Sequence, residues 1–329
     1  MHESMQKGII MRGVGGLFGV RLFPLTSGDE LLLCRARGSF RHDKITPLPG
    51  DLVRIERDSD APAVDDGKTA SFVIDEILPR RNALIRPPLA NLTHLFLVIP
   101  AARPAPDLKT ADKLIAIAES ANIEPIILVT KQDLDESSAD AIAAIYRSAG
   151  FTVITLSASD PESVETLRKF IGSLAAAETS VTAAFAGASG AGKSTMMSKL
   201  FPDLTIKTGE ISRRAERGRQ TTRHVELHPF EQNENVCLIA DTPGFSILDF
   251  TRFNFFDPAD LTSAFREFRP HIGDCRYTKC THTKEEGCAI LDAVHRGEIT
   301  KERHDSYLEI LTEMKKKPDW KRRKEESRT

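Results

Sequence analysis

A glycine-rich loop between a predicted strand and a predicted helix constrains the fold of this chain more than any other stretch. The apolar run Val181–Ala186 precedes the loop, and a helix is predicted over 194–200. The loop comprises Gly187, Ala188, Ser189, Gly190, Ala191, Gly192, Lys193, Ser194 and Thr195. Its glycines let successive backbone N–H groups turn inward and surround phosphate oxygens at the helix N-terminus. Lys193 is expected along the β- and γ-phosphates and the Ser194 hydroxyl on Mg²⁺, so the loop predicts a nucleoside triphosphate site.

Predicted strands and helices alternate on both sides of this loop. The predicted strands are 92–99, 126–129, 151–156 and 236–240, and the predicted helices are 109–120, 139–149 and one that begins at Pro161. This alternation indicates an α/β domain with a mostly parallel sheet and helices on both faces. Ligands of such sheets bind at the carboxyl ends of the strands, so the loops that follow the strands are the candidate binding residues.

Two of these loops carry residues suited to reading guanine. The first is Thr130-Lys131-Gln132-Asp133, and the second is Ser157-Ala158. A carboxylate such as Asp133 can accept hydrogen bonds from both N1–H and the N2 amino group of guanine, and adenine lacks this donor pair. The Lys131 stem is expected over the base plane, and the Ala158 N–H is expected to donate to O6. Thr130 replaces the more usual asparagine of such a motif and leaves Asp133 intact.

A third loop, Asp241-Thr242-Pro243-Gly244, follows the strand at 236–240. Asp241 is expected to hold Mg²⁺ through water, and the Gly244 N–H is expected to meet the γ-phosphate. Each of these short motifs alone is weak. Together, with each motif after its own predicted strand, they predict a guanine-nucleotide site.

The first 85 residues have a different pattern, with five short β-runs separated by Gly, Pro and Asp turns. The runs are 8–11, 19–23, 30–35, 51–55 and 70–74. Five strands over this length predict a small closed barrel of the OB type, a fold that often binds nucleic acid. Cations and an aromatic residue, as in an RNA-facing loop, occur at Arg35, Arg37, Phe40, Arg41 and Lys44. A barrel that only holds another domain is the alternative.

The C-terminal part carries a cysteine and histidine cluster, Cys275, Cys280, His282 and Cys288. Three thiolates and one imidazole within fourteen residues can close a tetrahedral site, which is typical of structural zinc. Cys34 and Cys237 lie in strand-like runs and are interpreted as small core residues. Residues 289–314 have a helical pattern, and the tail from 315 to 329 has a net charge of +5.

Length and composition are those of an ordinary soluble protein of two or three domains, with 329 residues and a net charge of −2. No run reaches the roughly 18 apolar residues of a membrane helix, and the N-terminus lacks the pattern of a signal peptide. We therefore expect a cytoplasmic protein without a membrane partner. Five cysteines in a cytosolic chain favour metal binding over a disulfide framework.

The order of the motifs is the most specific signal. In ordinary GTPases the phosphate loop comes first, whereas here Asp133 and Ser157 precede it. With a barrel before and a cysteine cluster after, the chain resembles the circularly permuted ribosome small subunit-dependent GTPase A (RsgA) family. The resemblance covers nearly the whole chain and includes Pro49-Gly50-Asp51 and Gly218-Arg219-Gln220-Thr221-Thr222. A sheet with neighbouring termini tolerates such permutation because each loop stays on its own strand end.

The resemblance implies three domains: an OB-fold barrel over 1–85, a circularly permuted GTPase domain over 86–256 and a zinc-binding helical domain with a basic tail over 257–329. It implies GTP and GDP, Mg²⁺ and Zn²⁺ as ligands. It also implies a GTPase that binds the small ribosomal subunit and its rRNA, acts late in subunit maturation and is released after hydrolysis. We expect the protein to be monomeric.

The catalytic assignments are Lys193, Gln220, Thr222 and Asp241. Phe245 follows the Asp-x-x-Gly motif, where many GTPases have a water-orienting glutamine. Slow hydrolysis by the isolated protein is therefore expected. Gln220 is the candidate for orienting water, although family members commonly carry histidine there, and Thr222 is favoured over Thr221 as a Mg²⁺ ligand.

Other function classes stay open at the level of sequence. One is a non-catalytic rRNA-binding assembly factor that guanine nucleotide switches. Another is a P-loop kinase or ATPase, which equal competition by ATP would favour. A third is a GTPase that acts on another RNA or on a membrane process.

Overall fold

A computed structural model describes residues 5–25, 31–42, 45–58, 70–85, 87–178, 180–202, 225–232, 235–241 and 257–316. The chain divides into two compact units that are each assembled from separate segments. The first unit comprises Met1–His94, Thr166–Phe185 and Leu200–Phe245. The second comprises Leu95–Glu165, Ala186–Lys199 and Ser246–Thr329.

The first unit contains a closed barrel of five strands. These are β1 (Gln6–Val14), β2 (Leu17–Leu22), β3 (Leu32–Ala36), β4 (Leu52–Arg57) and β5 (Phe72–Ile77). The strands pair in the order β1-β2-β3-β5-β4, and β4 pairs again with β1, which closes the barrel. Only β3 and β5 pair in parallel among these strands. The predicted OB-type barrel is therefore confirmed, with strand boundaries shifted by a few residues.

The barrel interior holds Phe40, an aromatic residue that the sequence pattern predicted for an RNA-facing loop. Phe40 lies on the short helix α1 (Gly38–His42) and is buried with Val53 and Ile55. Arg35 and Arg37 are ion-paired with Asp58 and Asp75, each at 2.7 to 2.8 Å. The predicted exposure of Phe40 is wrong because the short helix turns this ring into the barrel core. Lys44 and the side chain of Arg41 lie outside the described residues.

The motif Pro49-Gly50-Asp51 closes one end of the barrel. Gly50 has φ 87°, and a Cβ there would lie 2.1 Å from the Ala90 carbonyl oxygen, so no larger residue fits without movement of backbone. The buried Asp51 carboxylate accepts 2.7 and 2.8 Å hydrogen bonds from Arg80. Ala90 belongs to the hairpin of β6 (Ala83–Ile85) and β7 (Pro88–Ala90).

Three further strands belong to the first unit wholly or for most of their length: β11 (Val181–Ala186), β12 (Glu226–Gln232) and β13 (Asn235–Asp241). β11 and β13 pair in parallel, and β12 runs antiparallel to β13. β12 also meets the barrel, where Glu226 pairs with Arg12 of β1 and their side chains form a 3.2 Å ion pair. Cys237 and the barrel's Cys34 are fully buried, as predicted for core residues.

The second unit contains the alternating strands and helices. β8 (His94–Pro100), β9 (Glu124–Thr130) and β10 (Thr152–Leu156) lie in the order β10-β9-β8. The helices are α2 (Leu108–Ser120), α3 (Glu136–Ser148), α4 (Pro161–Ala177), which runs on into the first unit, and α5 (Lys193–Leu200). β9 and β10 are parallel, so the loops after them emerge at the same edge. The predicted α/β alternation is confirmed.

The C-terminal module of the second unit is mostly helical. Short 3₁₀ turns at Pro258–Asp260 and Arg266–His271 are followed by α6 (Ala289–His295) and α7 (Lys301–Lys315). The sequence predicted one helical stretch over 289–314, but α6 ends before Gly297, whose φ is 77°. Left-handed glycine is a common helix terminator, and it explains this break.

Buried charges attach this module to α2 and α3. Arg303 of α7 is 1% exposed, and its guanidinium lies 2.5 Å from the Asp112 carboxylate and 2.7 Å from Glu267. The Tyr146 hydroxyl also donates to Asp112 at 2.9 Å. The Phe265 ring stacks on the same guanidinium at 4.6 Å. The C-terminal module therefore packs on α2 and α3 through an ionic network that is closed to solvent.

Among the described residues, no helix is both long enough and apolar enough to cross a membrane.

Candidate functional site

The glycine-rich loop leaves the end of β11 and leads into α5, as predicted. Gly187 has φ 136°, and a Cβ there would lie 2.3 Å from the Val98 carbonyl oxygen of β8. Only glycine allows this close approach of two backbones. Gly190 and Gly192 also have positive φ, at 77° and 106°, a backbone conformation that favours glycine.

Lys193 lies folded back over this loop. Its Nζ donates 2.7 Å hydrogen bonds to the carbonyl oxygens of Gly187 and Ala188. Burial lowers the pKa of Lys193 from its ordinary value to about 8. The Lys193 ammonium group therefore lies against the loop backbone, where a bound phosphate anion would stabilise its charged form. Ser194 and Thr195 occupy the first turn of α5.

The predicted base-reading loop contacts the phosphate loop directly. The buried Thr130 hydroxyl donates to the Ala191 carbonyl oxygen at 2.6 Å. Lys131, in a left-handed conformation with φ 60°, donates through Nζ to the carbonyl oxygens of Gly190, at 2.9 Å, and of Arg103. The hydroxyl of Thr130 thus links the two loops at the position where such motifs more often have asparagine.

Asp133 connects the predicted base-reading loop to the loop after β10. The Ser157 hydroxyl donates to one Asp133 carboxylate oxygen at 2.6 Å, and the Ser159 hydroxyl lies 3.4 Å from the other oxygen. Ala158 lies between these serines. The two loops that the sequence assigned to guanine recognition are therefore adjacent, and their hydrogen bonds fix the direction in which the carboxylate points.

Sequence reasoning missed Ser159 and Arg103. Both follow strands of the parallel sheet, Ser159 after β10 and Arg103 after β8. Pro104, next to Arg103, approaches Gly190 closely enough that a Cβ on this glycine would meet its ring at 3.4 Å. Their position after strands of the parallel sheet is the signal that identifies them, because ligands of such sheets bind at the carboxyl ends of the strands.

Asp241 is the last residue of β13 in the first unit, opposite Glu226 of β12. Burial raises the pKa of Asp241, and the nearby His228 partly opposes that shift. Of the other predicted site residues, Gln220, Thr222 and Gly244 lie outside the described residues. So do Thr221 and Phe245.

The predicted metal ligands converge. The ligand atoms of Cys275, Cys280, His282 and Cys288 all lie within 4.8 Å of one another. Nδ1 of His282 lies 3.6 Å from the Cys275 sulfur and 3.4 Å from the Cys288 sulfur, and these sulfurs are 3.9 Å apart. Tetrahedral zinc geometry requires about 3.6 Å between nitrogen and sulfur and about 3.8 Å between two sulfurs. The residues fit zinc, and four protein ligands leave no open position for catalysis.

Family profiles match most of the chain. The profile of the RsgA GTPase matches residues 77–251. The chain belongs to the RsgA GTPase family. The profile of the RsgA N-terminal domain also matches, over residues 7–64, which contain four of the five barrel strands. Membership in this family identifies the chain as a GTP-hydrolysing enzyme.

Curated relatives and solved structures agree with that assignment. A small ribosomal subunit biogenesis GTPase RsgA of Ruminiclostridium cellulolyticum is 36% identical over 98% of this chain and 99% of its own. Its counterpart of Clostridium botulinum (strain Loch Maree) is also 36% identical, over 95% and 100%. The crystal structure of YloQ, a circularly permuted GTPase, matches with a TM-score of 0.74 and 32% identity over 96% of this chain and 98% of that one.

YjeQ from Thermotoga maritima matches with a TM-score of 0.75 and 26% identity over 94% of this chain and 99% of that one. The predicted fold class, a circularly permuted GTPase domain between an OB-type barrel and a C-terminal helical module, is confirmed.

Proposed function

We propose that this RsgA family GTPase binds the small ribosomal subunit, acts late in its maturation and leaves after GTP hydrolysis. The observation that carries the guanine assignment is the position of Asp133, which Ser157 orients beside the Thr130–Ala191 link to the phosphate loop. The curated relatives are named for biogenesis of the small ribosomal subunit and match over nearly the whole chain. The rRNA of the small ribosomal subunit is the proposed partner, and the protein is proposed to act as a cytoplasmic monomer.

The proposed guanine contacts use the two linked loops. Asp133 accepts from N1–H and the N2 amino group, the Ala158 N–H donates to O6, and the Lys131 stem covers the base. A base without these donors leaves the carboxylate unpaired, which is the physical source of discrimination. Thr130 holds this loop against the phosphate loop through Ala191.

The proposed phosphate contacts come from the amides of 187–195, Lys193 and the Gly244 N–H. Ser194 and Thr222 would ligate Mg²⁺, and Asp241 would hold it through water. Mg²⁺ supplies positive charge that offsets the charge on the phosphate oxygens. Water attacks the γ-phosphorus, the bond to the β–γ bridging oxygen breaks, and GDP and phosphate leave. Gln220 is proposed to orient that water.

The Cys₃His cluster is proposed to hold a structural zinc ion. The three modules are proposed to be the OB-type barrel over 1–85, the GTPase domain over 86–256 and the zinc-binding module with its basic tail over 257–329. This division places the nucleotide site and the zinc site in different modules.

The test is the rate of GTP turnover with and without purified small ribosomal subunits. If the ribosomal subunit completes the active site, the isolated protein should hydrolyse GTP slowly. The turnover rate should then rise strongly when subunits are added. Stimulation of less than about twofold would count against the proposal. Normal binding to subunits with no hydrolysis would favour a non-catalytic assembly factor, and equal competition by ATP would contradict the role of Asp133.

A further inference from the structure

The loop that carries His282 has a backbone that needs support. His282 has φ 56°, in the left-handed region where non-glycine residues are disfavoured. The residue is nevertheless buried, and its Nδ1 points at the sulfurs of Cys275 and Cys288. Contacts outside the ligand set must therefore hold this turn in place.

The carboxylate of Glu285 accepts hydrogen bonds from several backbone amides of this turn. Glu285 accepts hydrogen bonds from the backbone N–H of Thr281 at 2.8 Å, of Thr283 at 2.8 Å and of Lys284 at 3.0 Å. It also accepts from the hydroxyls of Thr281, at 2.6 Å, and Thr283, at 3.3 Å. Five donors from both sides of His282 thus converge on a single side chain.

Two side chains of α7 contact carbonyl oxygens of the same turn. Nε2 of His304 lies 2.8 Å from the His282 carbonyl oxygen, and the Tyr307 hydroxyl donates to the Thr281 carbonyl oxygen at 3.1 Å. The turn is therefore held from both sides, by Glu285 through its amides and by α7 through its carbonyls. Glu285 itself is not among the four residues whose ligand atoms converge.

We propose that Glu285 is a positioning residue for the metal centre, which fixes the turn around His282 so that the four ligands are arranged before the metal binds. This inference rests on the proposed zinc site. Preorganised ligands bind metal more tightly because less conformational freedom is lost on binding, and supporting contacts around ligands typically change metal affinity by 10–100-fold.

The neighbouring Glu286 provides a matched control. Its side chain is 87% exposed and lies 3.7 Å from Arg276, outside the cluster of donors around Glu285. Glu285→Gln and Glu286→Gln remove the same charge one residue apart. The pair therefore separates positioning from simple electrostatic attraction of the cation.

The experiment uses the full-length protein and measures zinc affinity by competition with a chromophoric chelator. Glu285→Gln is expected to lower zinc affinity by about 10–100-fold relative to wild type, and Glu286→Gln by less than about twofold. In the Co²⁺-substituted proteins, Glu285→Gln is expected to weaken the visible absorption of a four-coordinate thiolate site, whereas Glu286→Gln retains it. Equal zinc affinity of the two variants would overturn the proposal.

If Glu285→Gln does not fold, as judged by circular dichroism, Thr281→Val removes one hydroxyl donor without a change of charge. It is expected to lower zinc affinity by about threefold to tenfold, and an unchanged affinity would overturn the proposal. A wild-type protein that binds no zinc would refute the zinc assignment itself. Full zinc binding in wild type with equal affinities in both glutamine variants would refute only the role of Glu285.

Discussion

Replacement of Arg303 by methionine is expected to weaken the attachment of the C-terminal module severely. The substitution keeps an unbranched side chain of similar length but removes the cation that pairs with Asp112 and Glu267 at 2.5 and 2.7 Å. Both carboxylates have nearly buried side chains, with 2% and 5% exposure, so they are left as uncompensated charges. Loss of one partner from a buried ionic network costs about 3–5 kcal/mol.

The assay is urea unfolding of the zinc-loaded protein, followed by circular dichroism and by hydrogen exchange of α7 amides. The control is Arg296→Met, because Arg296 lies in the same module and pairs with Glu298 but is 54% exposed. Its effect should be close to experimental error because solvent screens an exposed pair.

A compensated variant makes the test of Arg303 stricter. Asp112→Asn and Glu267→Gln, combined with Arg303→Met, remove the orphaned charges and should recover most of the lost stability. A loss below about 1 kcal/mol in Arg303→Met, or no recovery in the triple variant, would refute the assignment of the stabilisation to this network.

Three further predictions concern the nucleotide site. Asp133→Asn should weaken GTP binding by about a hundredfold or more. The variant should bind xanthosine triphosphate in preference to GTP, because O2 of xanthine accepts a hydrogen bond from the Asn amide. Unchanged specificity in competition binding would contradict the guanine contact. A bound triphosphate raises the pKa of Lys193 from about 8, so nucleotide affinity should be constant below that pH and fall above it; a flat profile from pH 7 to roughly 9.5 would contradict the direct contact. Thr130→Val leaves the Ala191 carbonyl oxygen without its 2.6 Å donor. Stopped-flow measurements should therefore show nucleotide release that is about tenfold faster. An unchanged release rate would show that this hydrogen bond does not support nucleotide binding.

The features that sequence predicts are those that local chemistry determines. The strand, loop and helix around 187–195 are predictable because glycines, a lysine and a hydroxyl residue follow one another between an apolar run and a helical pattern. The proximity of Asp133 and Ser157 follows from the parallel sheet, since both residues come directly after neighbouring strands. The metal cluster is predictable because its four ligands lie within fourteen residues.

The features that sequence does not predict depend on distant packing. Arg303 and Asp112 are 191 residues apart, and neither belongs to a motif. The burial of Phe40 is not predictable either, because a short helix that turns its ring inward leaves no periodic pattern in the sequence. The support of the turn around His282 by Glu285 was also invisible, since five donors to one carboxylate depend on backbone direction and not on residue spacing.

The hydrogen bond between Thr130 and Ala191 has a consequence for synthesis of the chain. Its two partners are 61 residues apart, with the base-reading loop first. Ribosomes add about 5–20 residues per second, so this loop leaves the ribosome about 3–12 s before the phosphate loop that it must join. During that interval the nascent chain has its complete barrel sequence but only one of the two linked loops of the proposed nucleotide site. GTP can therefore stabilise this domain only after most of it has been made.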